Sequence, residues 1–193
     1  MDLEPVITVA FGYVRDLLGQ DSGGHDPEHA LRVYRNTLRL AGAVPGCDRQ
    51  TAALAAILHD ADDHKLFHTE NNANARAFLN AQGVTQEMAD RICGIINSVS
   101  FSKNRGRAPE TLEGKVVQDA DRLDALGAVG IARTFAYGGK EGRGMEDSIR
   151  HFHEKLLLLK DLMSTEEGRR LAEERDAFLR SFLEEYLRET GEI

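Results

Sequence analysis

The sequence predicts an all-α protein, and three observations carry that prediction. Apolar residues recur every three or four positions along nearly the whole chain. No stretch of any length alternates apolar and polar residues as a strand does. Helix start and stop signals, such as Asp26-Pro27 and Gly83, fall between the apolar runs.

Each element follows in order. Val6, Ala10, Val14, Leu17 and Leu18 line one face of a first helix, which QDSGGHDPEH interrupts. Asp26 is suited to cap the next helix and Pro27 to enter its first turn. Leu31, Val33, Tyr34, Leu38 and Ala41 carry that helix to about Gly42. After the loop AVPGCDRQ, TAALAAILHD reads as a third, strongly apolar helix. ANARAFLNAQG and TQEMADRICGIINSVS give two more, with Gly83 as the stop between them. FSKNRGRAPET is a basic loop. EGKVVQDADRLDALGAVGIARTFAYGG is helical in period yet carries acids inside an apolar pattern. GGKEGRGM reads as a flexible loop and is the best candidate for a joint. The tail from Glu146 to about Glu189 predicts two amphipathic helices joined near Thr165.

The 193 residues suffice for one domain with a core, and no repeat or low-complexity block divides them. A net charge of −8 argues against a nucleic-acid polymer or a membrane surface as partner, since both call for a basic face. Cys47 and Cys93 form no CxxC pattern and read as free thiols. No basic leader and no apolar run near the ~20 residues of a membrane helix is present. A cytoplasmic location is the expectation.

The chemistry concentrates in ILHDADDH, residues 57–64. Ala53, Leu54, Ile57 and Leu58 should anchor this helix in the core, so His59, Asp60 and Asp63 sit at the rim of the interior. On a continuing helix, positions 59 and 63 share a face. Burying such groups unpaired is costly, and a divalent cation with mixed His/Asp ligands would remove the cost. The alternative is a helix end with solvated side chains, although three aspartates there oppose the macrodipole. A second pair, His25-Asp26, precedes a helix; Asp26 is explained as its cap, and His29 in the first turn is the better-directed ligand. In QDADRLDALGA, any of Asp119, Asp121 and Asp124 is placed to complete a metal sphere. Salt bridges from Arg122 and Arg133 are the competing explanation.

Taken together, HALRV at a helix start, HD after an apolar helix and a distant ADRL resemble the HD superfamily of metal-dependent phosphohydrolases. The resemblance runs from about Val14 to about Tyr186 and extends, through FSKN, EGKVVQDADRLDALGAVGIARTFAYGG and HFHEKLLLLKDLM, to a bacterial subgroup of uncharacterised HD hydrolases, some of whose members have been assigned nucleotide pyrophosphohydrolase activity. It implies an HD-domain helical bundle over residues 1–193, with additional C-terminal helices at about 145–190 packing on the core. It implies His29, His59, Asp60 and Asp121 as ligands of one divalent ion, manganese first, with Mg, Co, Ni, Fe or Zn as alternatives. His25-Asp26 is then a decoy pair. Asp63 stands where other HD enzymes place a glutamate, and is assigned to orienting or deprotonating water.

An anionic substrate also needs donors. Lys65 leads, as a catalytic and substrate-binding residue, followed by Arg133, Arg122 and Lys103, with Arg105 and Arg107 on the same loop. Tyr137 and Phe101 are candidates to stack on a base, against core packing as the default. His64 and His68 belong at the mouth or the surface, His151 and His153 to the core or surface, with His153 the nearer to the pocket. The expected reaction is hydrolysis of a nucleoside triphosphate to monophosphate and pyrophosphate. The alternatives are a nucleotide phosphomonoesterase and a non-catalytic metal- or nucleotide-binding sensor. The expected assembly is a monomer or a homodimer.

Overall fold

The structure, a computed structural model, describes residues 2–19, 26–64, 66–100, 104 and 107–191. Nine α-helices and one 3-10 helix account for the regular structure among them, and no strand is present there. The helices are α1 (Glu4–Leu18), α2 (Pro27–Ala43), α3 (Arg49–Leu58), α4 (Ala73–Ala81) and α5 (Gln86–Val99). They continue with α6 (Leu112–Asp124), α7 (Gly127–Lys140), α8 (Met145–Glu154), the 3-10 helix (Leu156–Leu162) and α9 (Glu166–Thr190). None is long and apolar enough to cross a membrane.

Five of these helices begin where a short polar side chain accepts an otherwise orphaned N–H. Asp26 accepts from His29, Asp48 from Thr51, Thr85 from Met88, Thr111 from Gly114 and Thr165 from Gly168. The expected Asp26 and Thr165 starts are therefore found. In α3, every residue from Thr51 to Leu58 is buried. A short helix that is apolar all round has to be central, and α3 packs on α1, α2, α5 and α6. Its last turn delivers His59 and Asp60 to one end of this core.

Two boundaries differ from the sequence expectation. The acid-bearing stretch is two helices, because the chain turns at Gly127 with φ +68°. The tail has a third piece, because α8 stops at Glu154 and a 3-10 helix follows. The GGKEGRG joint is also shorter than its glycines suggest: Gly138, Gly139 and Lys140 complete α7. α7, α8, the 3-10 helix and α9 pack on one another, and α9 reaches α6 and α2. Buried Phe152, Leu159, Leu171 and Leu179 join the same apolar cluster as Leu54 and Leu123.

Asp119 ties the two halves together. Its carboxylate is fully buried and accepts from Ser164 N, Thr165 N (2.7 Å) and Thr165 Oγ1 (2.7 Å). Thr165 Oγ1 in turn accepts from Gly168 N, so one buried acid anchors the first turn of α9. A Cβ on Gly168 would lie 2.6 Å from Asp119 Oδ2, which explains the glycine. Asp119→Ala strands these donors in a dry site and is expected to cost about 2–4 kcal/mol of stability. Urea unfolding measures this; an unchanged midpoint would show that α9 docks without the anchor.

Candidate metal centre

His29 and His59 come from different helices and meet at their Nε2 atoms, 3.1 Å apart. Each imidazole is oriented from behind by a group that can only accept. His29 Nδ1–H donates to Asp124 Oδ2 at 2.7 Å, and His59 Nδ1–H donates to the Ala56 carbonyl at 2.8 Å. Both Nε2 lone pairs are thereby turned inward. Asp121 Oδ1 lies 3.4 Å from His29 Nε2 and 3.8 Å from His59 Nε2. The Asp60 oxygens lie 3.5 Å and 3.3 Å from the same two nitrogens. His29, His59 and Asp121 offer atoms that all lie within 4.8 Å of one another, a spacing that can hold a metal ion. The four side chains nominated from the sequence are brought together.

The donor set fits a divalent cation. Two imidazole lone pairs and two carboxylates facing one another at these distances repel unless a positive charge lies between them. The pKa of His29 expresses the same demand. Burial pushes its imidazole down, but Asp121 and Asp124 outweigh burial and hold it up at about 9. Asp121 moves the other way: burial opposes its ionisation, and the two histidines hold its pKa below the usual carboxylate range.

A proton on His29 and a metal ion therefore compete for one place. In metal-free protein, His29 has a folded pKa above its ordinary value of 6.5. Its charge thus stabilises the fold fully below pH 6.5 and is lost as pH rises through about 9. Apparent metal affinity is expected to rise with pH over that window, by up to about tenfold per unit for one displaced proton. Metal-buffer titrations at several pH values check this, and a flat profile would contradict it.

The three aspartates of α6 take separate jobs. Asp119 anchors α9, Asp121 enters the donor cluster, and Asp124 lies behind His29. Asp124 is 2% exposed and also accepts from Arg32 Nε and Arg133 Nη1, each at 2.7 Å. Burial raises its pKa, but His29 and Arg32 outweigh that and hold it well below the usual range. Asp62, in the sequence knot beside the cluster, turns away: it accepts from Thr69 Oγ1, Asn74 N and Ala75 N at the start of α4.

A cavity of about 810 Å³ opens from the cluster. Asp63 and His64 lie along it, with His64 Nδ1 3.9 Å from Asp63 Oδ1. Asp63 reaches the site from a turn rather than from a continued helix, since α3 ends at Leu58. Arg133 lines the cavity while held by Asp124. Arg122 borders it too, and its Nη1 donates to the Leu162 carbonyl rather than to an aspartate of α6. Its Nε and Nη2 have no hydrogen-bond partner among the described residues. His25, Lys65, Phe101, Lys103 and Arg105 lie outside the described residues.

Sequence reasoning missed the far wall. Arg143, Arg150, His151 and Lys155 line the cavity from α8 and its flanks. Of the two tail histidines it is His151 that lines the cavity, whereas His153 is exposed. Arg143 Cζ sits 5.2 Å from the centre of the Tyr137 ring. Only the tertiary arrangement of α7 and α8 exposes these residues to the metal end.

Fold and centre together define a metal-dependent phosphohydrolase of the HD type. The HD domain family matches residues 28–126, and the chain belongs to that family. Among particular relatives, YpgQ of Bacillus subtilis (strain 168) is 41% identical over 180 residues, 89% of this chain and 87% of YpgQ. The crystal structure of YpgQ in complex with ADP superposes with a TM-score of 0.82 at 35% identity, covering 95% of this chain and 97% of that one. An HD-superfamily hydrolase from Bacillus thuringiensis superposes with a TM-score of 0.78 at 38% identity, covering 98% and 99%.

Proposed function

We propose that the chain hydrolyses a nucleotide, cleaving a nucleoside triphosphate to the monophosphate and pyrophosphate. One observation carries this reading: a single cavity joins the His/Asp cluster to an arginine stacked on a tyrosine. Such a cavity offers a cation-seeking end for phosphates and a planar face for a base. The ADP complex of YpgQ supports the nucleotide class.

His29, His59, Asp60 and Asp121 would hold one divalent ion, with manganese the first choice. When bound, such an ion neutralises phosphate charge and acidifies water. Asp63 orients the attacking water and takes its proton as oxygen adds to the α-phosphorus. The bond from that phosphorus to the oxygen bridging to the β-phosphorus breaks, and pyrophosphate leaves. Arg143, Arg150 and Lys155 are suited to the leaving phosphates, and Arg133 to an oxygen nearer the cluster. Lys65 and Lys103 keep the substrate-binding roles expected from the sequence, Lys65 a catalytic one as well. Arg122 ranks below them, because its free nitrogens are enclosed.

A product-resolved assay tests the reading. Metal-stripped protein is given Mn, Mg, Co or Ni and a panel of nucleoside mono-, di- and triphosphates. Metal-dependent pyrophosphate release from triphosphates is expected. Orthophosphate release from monophosphates would move the reaction to a phosphomonoesterase. Tyr137→Ala is expected to raise KM for a nucleotide by about tenfold while changing kcat little, as loss of one stacking contact does. Equal KM values for both proteins would remove Tyr137 from the base site.

A further inference from the structure

Behind the metal centre lies a second concavity that the proposed reaction does not use. It is a cleft of about 300 Å³ between α2, the α6–α7 turn and α9. Arg32, Arg35 and Arg175 line it with Asn36, and Asp124 is the one carboxylate in its wall. That carboxylate is already shared among His29, Arg32 and Arg133. Three arginines thus line one hollow of a protein whose net charge is −8. Like charges gathered this way repel one another unless an anion joins them.

The arginines are not equally engaged. Arg32 is bound to Asp124, and Arg175 donates to the Leu123 carbonyl and to Asn36 Oδ1. These contacts hold the two guanidiniums in place and leave further N–H groups for a ligand, since each guanidinium carries five. Arg35 is exposed and makes no hydrogen bond or ion pair among the described residues. Leu126, Gly127 at φ +68°, Ala128 and Val129 complete the lining. A Cβ on Gly127 would lie 3.2 Å from Arg175 Cγ, so glycine lets the chain pass close under that arginine. The same residues open α7, a 14-residue helix whose start has no side-chain cap and adds a positive dipole end.

We propose that this cleft is an anion-binding site distinct from the metal centre, and that its ligand is inorganic phosphate. A tetrahedral oxyanion offers acceptors on every side and suits guanidiniums arriving from α2 and α9 at once. The cleft, at about 300 Å³, is ample for one phosphate. The site stands on these residues alone and does not require the proposed reaction.

Calorimetric titration of manganese-loaded, full-length protein with inorganic phosphate tests it. Wild type is expected to bind two phosphates, only one of them lost when the metal is removed. Arg35→Glu is expected to weaken the metal-independent binding at least about tenfold, because it reverses one of three converging charges. Arg35 is exposed and has no partner among the described residues, so the variant should keep its helical circular dichroism, and Arg35→Gln should weaken binding less. Unchanged metal-independent binding in Arg35→Glu would overturn the proposal, as would wild type in which all phosphate binding follows the metal. One phosphate bound regardless of metal, and lost in Arg35→Glu, would sustain the cleft while removing the metal-centre reading. Tighter metal-independent binding of a nucleoside monophosphate than of phosphate would overturn free phosphate as the ligand.

Discussion

His59→Ala is expected to abolish stoichiometric metal binding and lower turnover by about a thousandfold or more. A catalytic metal supplies several kcal/mol of charge stabilisation, and each 1.36 kcal/mol is a factor of ten. The loss should be functional rather than structural. His59 is the C-cap of α3, and outside the donor cluster its side chain gives the fold a hydrogen bond to the Ala56 carbonyl. Losing that bond costs about 1 kcal/mol. Helical circular dichroism should persist while bound metal, read by elemental analysis, falls to background. Asp60→Ala should behave alike. His153→Ala, at an exposed position away from the cavity, should match wild type. His25→Ala should do far less than either ligand variant. A loss there equal to that of His59→Ala would overturn the assignment of His25-Asp26 as a capping pair.

Asp124→Asn should damage affinity and stability together. The substitution keeps the shape but removes the charge that orients His29 and balances Arg32 and Arg133. Loss of an acid behind a ligating histidine typically weakens metal binding by about 10- to 100-fold. Removing one partner from a buried ion cluster costs about 3–5 kcal/mol, because the remaining charges stay desolvated. Melting temperature and a competitive metal titration read the two effects separately. Lost stability with unchanged metal affinity would show that His29 holds its orientation without Asp124. The Asp124 carboxyl is held below its ordinary pKa, so its stabilisation is present at neutral pH. It should be lost only as pH falls through that depressed value.

The metal and phosphate readings share one structural theme. Asp124 lines the rear cleft and also holds His29 of the donor cluster, and Arg32 lines that cleft while gripping Asp124. A charge change on either side is therefore felt by the same carboxylate.

The helical class, the caps at Asp26 and Thr165 and the burial of the 53–58 run were legible in the sequence. Apolar periodicity and short polar caps are local properties, so the chain order alone carries them. The gathering of His29, His59, Asp60 and Asp121 was legible too, but only through resemblance, because spacing cannot separate three aspartates within six residues of one another. Tertiary structure made that separation. Asp119 meets the backbone of Ser164 and Thr165, Asp124 meets His29, Arg32 and Arg133, and Asp121 is left for the donor cluster. The far wall of the cavity and the three-arginine cleft had no sequence signal, since their residues lie on helices distant in the chain. Which charges become neighbours is settled by how amphipathic helices pack, and that is a property of the whole fold.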